Sequence, residues 1–276
     1  MMAGMTPESP IKNYVCRRTM RPPAVNGRLD SPAWQRAERS PRFVDMVTGE
    51  PAFFGTQAAA LWDDEYLYVG FWIEEPFVRA RLTERDSLIF QESDVEVFID
   101  GGDCYYEFEI NALGTIYEVF FIWKDAFARF DRAEWDVLRR DALTFGGDYD
   151  RQPESFWRGT NPRGTRWAFL DYDMPGLRWA THVDGVLNDD SVVDKGWTVE
   201  IAFPWSGMKW LANGRSLPPT DGDEWRIFFG RFEALRAGGQ EVSPHPAWVW
   251  NAHGVYDTHR PDRFTRIRFS EEELVL

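Results

Sequence analysis

The most regular hydrophobic pattern in the chain is SDVEVFIDGGDCYYEFEINALGT, residues 93–115, where apolar and acidic positions alternate on either side of a Gly-Gly pair. Alternation with a period of two is typical of half-buried strands, and two such runs joined by glycines predict a β-hairpin. Asp94 and Glu96 share one face of the first strand, and Glu107 and Glu109 share one face of the second. The pattern therefore predicts a hairpin with one apolar face and one face lined with carboxylates.

The expected turn of this hairpin raises a physical difficulty. A two-residue turn at 101–102 places Glu96 opposite Glu107 and Asp94 opposite Glu109. Like charges that face each other across two strands are destabilising. Either the register is bulged or the acids have a role other than stability. Three roles are open: acceptors for sugar hydroxyls, partners for the arginines of residues 125–176, or ligands for a cation.

Further alternating segments predict strands along the rest of the chain. A hairpin is expected at 56–75, and a third strand, 116–124, continues the first hairpin. A short helix is expected within 26–38, where Pro32 follows the candidate N-cap residues Asp30 and Ser31. Many short strands and almost no helix indicate an all-β protein, an antiparallel β-sandwich of jelly-roll type. The other predicted strands are 177–185, 196–205, 224–235 and 263–269.

The chain reads as one domain with two less regular regions. Residues 1–25 are polar and contain prolines, which predicts an N-terminal arm. Residues 26–276 form the expected sandwich domain, and no linker divides them. Residues 125–176 have little periodicity and are expected to be a loop insertion, with one helix near 131–140, that shapes the site.

Composition narrows the possible functions. The net charge of −14 argues against nucleic acid, which requires a basic surface. Aromatic residues make up 16% of the chain, and their rings serve both cores and stacking on sugars. No run is long enough for a membrane span, and no signal peptide is visible. Cys16 and Cys104 are expected to be free thiols.

Several motifs, in order, resemble family 9 carbohydrate-binding modules. They are GRLDSPAW, LWDDEYLYVGFWIEEP, ERDSLIFQESDVEVFIDGGDCYYEFEINALGT, GVLNDDSVVDKGWTVEIAFPW, GDEWRIFFGRFE and WVWNAHGVYDTHRPDRFTRIRFS. The likeness covers nearly all of the chain from about residue 26. It implies a β-sandwich that binds a saccharide or polysaccharide without cleaving it, and an extracytoplasmic location.

The resemblance also implies positions for the ligand-binding residues. The first aromatic platform falls at Phe90, and the polar residue six places on is Glu96. Glu109 occupies a position where the family can carry a basic group. The second platform falls at Trp248 or Trp250, which share a face and are therefore both buried or both displayed. Phe90 and Glu109 are departures from the family pattern.

Two other functional classes remain open from the sequence. A glycoside hydrolase would use a pair of carboxylates, which an acid-rich strand face could supply. A haem-binding sandwich of a related fold would need Met, His or Lys as a ligand to iron.

Metal sites are possible at two other places. The loop at 183–197 concentrates oxygen ligands suitable for calcium, although it lacks the EF-hand spacing. His253, Asp257 and His259 form a conceivable zinc triad, but hydrogen-bonded structural histidines are the favoured interpretation.

Overall fold

The structure is a computed structural model that describes residues 10–130, 132–146 and 161–273. Three short helices occur in these ranges: α1 (Pro32–Arg36), α2 (Arg132–Leu138) and α3 (Lys209–Ala212). All other regular structure is strand or single 3₁₀ turn. The strands are β1 (Asn13–Arg18), β2 (Val44–Asp45), β3 (Thr56–Trp62), β4 (Tyr66–Glu74), β5 (Asp94–Asp100), β6 (Cys104–Asn111), β7 (Ile116–Trp123), β8 (Leu143–Phe145), β9 (Arg166–Phe169), β10 (Arg178–Asp184), β11 (Gly196–Pro204), β12 (Glu224–Phe232), β13 (Arg236–Ala237), β14 (Gln240–Glu241), β15 (Ala247–Val249) and β16 (Thr265–Glu273).

The strands form two layers that are joined at one side. The first layer has the order β10-β11-β4-β3-β1, and the second has the order β12-β5-β6-β7-β9-β8. Strand β16 connects them, because it pairs with β1 in parallel and with β12 in antiparallel orientation. The layers pack through aromatic rings: Phe203 of β11 lies 5.5 Å from Phe108 of β6, and Phe71 of β4 lies 6.2 Å from Phe229 of β12. The predicted all-β sandwich is confirmed.

Part of the expected N-terminal arm is a strand. β1 pairs with both β16 and β3, and Tyr14 and Cys16 point into the core. The Tyr14 hydroxyl also donates a hydrogen bond to the carbonyl of Glu38 at 2.8 Å. Because backbone groups of β1 form hydrogen bonds on both edges of the strand, residues 13–18 are part of the sandwich rather than a loose arm.

The segment expected as a loop insertion contributes regular structure to the second layer. Strand β9 pairs with β7, and β8 pairs with β9, so both extend the sheet that carries the acidic hairpin. Helix α2 precedes them, and its Trp135 is buried against Phe120 at a ring distance of 4.9 Å. The sheet therefore continues through a region whose sequence lacks clear alternation.

Cys16 and Cys104 are both buried and unpaired, as expected. None of the helices in the described residues is long and apolar enough to cross a membrane.

Candidate functional site

The acidic hairpin is formed by β5 and β6, and its register differs from the prediction. Glu96 pairs with Glu109, and Asp94 pairs with Asn111. The connection is longer than two residues, because the ladder begins only at Asp100 and Tyr105. The shift is by an even number of residues, so every side chain keeps its expected face. Two glutamates still face each other across the strands.

Three of these acids form a buried cluster on the face of the second layer that points away from the sandwich core. Asp94, Glu96 and Glu109 are 0%, 2% and 1% exposed. Their ligand oxygens all lie within 4.8 Å of one another. One oxygen of each, Asp94 Oδ2, Glu96 Oε2 and Glu109 Oε2, has no hydrogen-bond partner. A buried carboxylate oxygen without a donor is costly, so the cluster is unfavourable as it stands.

Burial and mutual repulsion set the protonation of these acids. Burial, followed by the neighbouring carboxylates, raises the pKa of Glu96 and of Glu109 well above the ordinary value. Burial raises the pKa of Glu107 to about 7, against the hydrogen bond with Glu109 and the positive charge of Arg166. Like charges at this distance resist ionising together, so the free site holds protons that a bound cation would displace.

A cavity of about 580 Å³ opens above the cluster. Its floor carries Glu96, Glu107 and Glu109, whereas Asp94, two residues before Glu96 on β5, does not line the cavity. Its size is that of a small-ligand pocket, and its composition, apolar walls with a few convergent polar groups, is typical of one. The ring-bearing side chains around it are Phe90, Tyr117, Phe121, Phe145, Phe232, Tyr256, His245 and His259.

Phe90, the predicted platform residue, lines this cavity. It lies in a 3₁₀ turn just before β5 and is half-buried. Its ring meets Tyr117 edge to face at 6.0 Å between centroids. Tyr117 in turn pairs across the strands with Glu109, so ring and acid stand side by side. The structure thus brings together Phe90, Glu96, Glu107 and Glu109.

The chain is similar to known carbohydrate-binding proteins in part of its sequence and in its fold. Residues 56–133, which include the hairpin and Phe90, match the sequence model of Carbohydrate-binding family 9. A candidate carbohydrate-binding protein from Bacteroides uniformis has the same fold, with 15% identity, a TM-score of 0.57, and coverage of 95% of this chain and 100% of that one. A family 9 carbohydrate-binding module from Caldicellulosiruptor kristjanssonii, in complex with cellotriose, has 14% identity, a TM-score of 0.50, and coverage of 94% and 95%. None of the curated protein sequences is a significant match.

The chain is a protein similar to family 9 carbohydrate-binding modules. The resemblance predicted from the sequence is confirmed, over residues 56–133 by sequence and over nearly the whole chain by fold.

The second platform predicted from that resemblance is wrong. Trp248 and Trp250 are 3% and 5% exposed, and neither lines the cavity. Trp250 packs between Tyr14 at 5.1 Å and Phe229 at 4.9 Å, inside the core. The two tryptophans have similar exposure, as expected. Both lie in the interior because β15 pairs with β12 and carries this segment into the sandwich.

The arginines of residues 125–176 differ in how close they lie to the acid cluster. Arg129 and Arg163 pair with Asp103 at the hairpin turn, away from the acid cluster. Arg166 lies closer: its Nε donates to the Tyr105 hydroxyl at 2.6 Å, and its charge lowers the pKa of Glu107. Two other arginines of the segment, Arg151 and Arg158, lie outside the described residues.

The sequence did not identify most of the cavity wall. Tyr256, Thr258 and His259 come from the C-terminal loop, where only a histidine–aspartate triad had been considered. His259 Nδ1 contacts the Tyr105 hydroxyl at 3.0 Å, and His253 Nδ1 donates to the Asp257 carbonyl at 2.7 Å. Both histidines therefore have hydrogen bonds within the fold. No local pattern marks these residues, since only the packing of the loop against the sheet brings them to the hairpin.

The acids of the loop at 183–197 form hydrogen bonds and ion pairs with other residues of the protein. Asp194 accepts from the backbone of Val78 at 2.9 Å and of Val186 at 2.7 Å. Asp190 pairs with Arg79, and Asp184 pairs with Lys195. In the described ranges, the group of acids close enough to hold a metal ion is the Asp94–Glu96–Glu109 cluster. Calcium in the loop stays an untested prediction.

Proposed function

We propose that the protein binds a saccharide, without cleaving it, in the cavity above the β5–β6 hairpin. The observation that carries this proposal is the combination of aromatic walls with carboxylate oxygens that lack a donor. Aromatic rings pack against the C–H faces of sugars, and carboxylates accept hydrogen bonds from hydroxyl groups. The match to Carbohydrate-binding family 9 spans the segment that supplies Phe90 and the acids of the floor.

Hydrolysis is the less favoured use of these acids. A glycosidase places one carboxyl group on either side of the bond, about 5 Å or more apart. Glu96 and Glu109 instead stand on neighbouring strands of one sheet and form a common floor with oxygens within 4.8 Å. Their geometry supports recognition of one group above them rather than attack from two sides.

The test is a calorimetric titration of the purified protein with a panel of mono- and oligosaccharides that includes glucose and cellotriose, together with their amino and N-acetylamino counterparts. We expect one class to bind, and Phe90→Ala to weaken that binding severalfold while the fold persists. The same panel, assayed for new reducing ends and with an absorbance scan for a haem band, should show neither. Absence of binding to every sugar, or release of reducing ends, would overturn the proposal.

A further inference from the structure

The charge of the cavity is one-sided. Glu96, Glu107 and Glu109 line it, Asp94 lies close to Glu96 and Glu109, and no lysine or arginine of the described residues lines it. His245 and His259 line it too, and burial followed by the charge of Arg166 lowers the pKa of His259 well below the ordinary value, so His259 is neutral at pH 7. With a neutral sugar these acids would keep the protons that burial favours, whereas a cationic ligand would supply the counter-charge that lets them ionise. The lining therefore favours a ligand that carries positive charge.

The partnerless oxygens match one kind of donor. Glu96 and Glu109 pair across β5 and β6, and Oε2 of each is buried and without a hydrogen bond. A hydroxyl supplies a single proton, so it would satisfy only one of them. An ammonium group supplies three N–H donors and a charge, and charge-assisted bonds to carboxylates are about twice as strong as neutral ones.

The walls are suited to the same group. Phe90 and Tyr117 stand beside the floor, and Phe121, Phe232 and Tyr256 also line the cavity. Aromatic faces attract cations, and more strongly where water is excluded. They also pack against the carbon skeleton of a sugar ring. A pyranose with an amino substituent would use both properties of the wall at once.

We propose that the ligand is an amino sugar with a free, protonated amine, and that the amine is held by Glu96 and Glu109. This inference rests on the proposed function and specifies its substrate class. Glucosamine and its oligomers have the required chemistry, whereas glucose lacks the amine and N-acetylglucosamine lacks the charge.

A divalent cation is the competing occupant of the acid cluster. Calcium takes six to eight oxygens, and the cluster offers three side chains. The aromatic walls and the volume of about 580 Å³ would then have no part in holding the ion. The two occupants differ in their use of Asp94: a metal would be held by all three acids, whereas an ammonium group in the cavity would contact only the two that line it.

The experiment is calorimetry of the full chain with glucosamine, glucose, N-acetylglucosamine and calcium chloride, each added separately. We expect glucosamine to bind about tenfold more tightly than the two neutral sugars, from one charge-assisted contact. Glu96→Gln and Glu109→Gln should each remove this preference. Asp94→Asn should largely keep it, and the surface change Glu271→Gln, which removes the same charge, should leave it intact. Thermal melts would show that each variant is folded.

The possible failures are distinguishable. Equal affinity for glucosamine and glucose would overturn the amino-sugar inference and leave the proposed sugar site standing. Binding of calcium that is lost equally in the Asp94, Glu96 and Glu109 variants would identify a metal site and also overturn it. No binding of any sugar would overturn the proposed function itself.

Discussion

Two groups among the buried carboxylates of the described residues differ in whether the fold satisfies them. In the first, Glu75 and Glu233 flank Arg231, which is completely buried and also donates to Thr56 Oγ1 at 3.0 Å. Glu75 receives a further bond from Trp197 Nε1 at 2.7 Å. The fold therefore supplies both a counter-charge and hydrogen bonds.

The second group, Asp94, Glu96 and Glu109, has the same burial without that support. Each member keeps an oxygen with no partner, and the three approach within 4.8 Å. Burying a charge without a partner costs stability, and mutual repulsion adds to the cost. The difference supports a structural role for the first group and the proposed ligand site at the second.

The sharpest way to test the first group is to remove its cation. Arg231→Met leaves Glu75 and Glu233 buried without a counter-charge, so we expect a loss of about 3–5 kcal/mol in the free energy of unfolding. Chemical denaturation would measure it. Arg226→Met, an exposed arginine on the same strand, is the matched control and should change stability little. Equal stability of the two variants would contradict the structural role of Arg231.

The same distinction applies to aromatic residues. Trp250→Ala removes a ring from the core and should cost about 3–5 kcal/mol. Phe90→Ala removes a half-buried ring from the cavity wall, so it should cost less stability and should weaken sugar binding severalfold. Thermal melts together with calorimetry would separate the two effects. A stable Trp250→Ala variant with impaired binding would restore the platform role predicted from the sequence.

Replacement by glutamine should have opposite effects on stability for a buried acid without partners and for one with partners. Glu109→Gln removes the cost of burying this acid, protonated or charged, beside other acids, so we expect the unliganded protein to gain about 1–2 kcal/mol in stability while binding falls. Glu200→Gln is the control, because Glu200 accepts from Trp34 Nε1 at 2.6 Å and from the backbone of Asn26 at 2.8 Å. It should lose about 1–2 kcal/mol. Destabilisation of both would mean that Glu109 has a structural role.

The sequence predicted the fold and the acidic face because both follow from a local period. Alternation fixes which face a residue occupies, and a register shift of two leaves that assignment unchanged, so the face was right although the pairs were wrong. The turn at 101–103 determines which residues of β5 and β6 pair, and two glycines alone do not predict the length of this turn.

The sequence-based predictions that failed concern features that depend on long-range packing. The shared face of Trp248 and Trp250 follows from their spacing, but only the pairing of β15 with β12 decides that this face is buried. The far wall of the cavity is supplied by Tyr256 and His259, roughly 150 residues from the hairpin. A single sequence carries no signal for such a contact.

The last expected effect is the pH dependence of stability. The pKa of Glu107 is raised to about 7, and those of Asp94, Glu96 and Glu109 are raised as well. A raised pKa means that the folded state holds the proton more tightly, so the stabilisation is complete below about pH 4.5 and is lost as the pH rises through 7.

We therefore expect these acids to make the unliganded protein less stable at pH 8 than at pH 5, whereas the buried His253 and His259, whose pKa values are lowered by burial, act in the opposite direction in this window. Glu75 has a pKa of about 7 and contributes in the same direction as these acids, so the Glu75→Gln and Glu109→Gln variants must be compared. Acids with lowered pKa values, such as Asp103 and Asp262, are already ionised at pH 5 and do not affect this window. If the Asp94–Glu96–Glu109 cluster is the main source of this pH dependence, Glu109→Gln will flatten the profile of melting temperature against pH more than Glu75→Gln does. A profile that Glu109→Gln leaves unchanged would show that the cluster is not strained in the free protein, and would remove the contrast between the two groups.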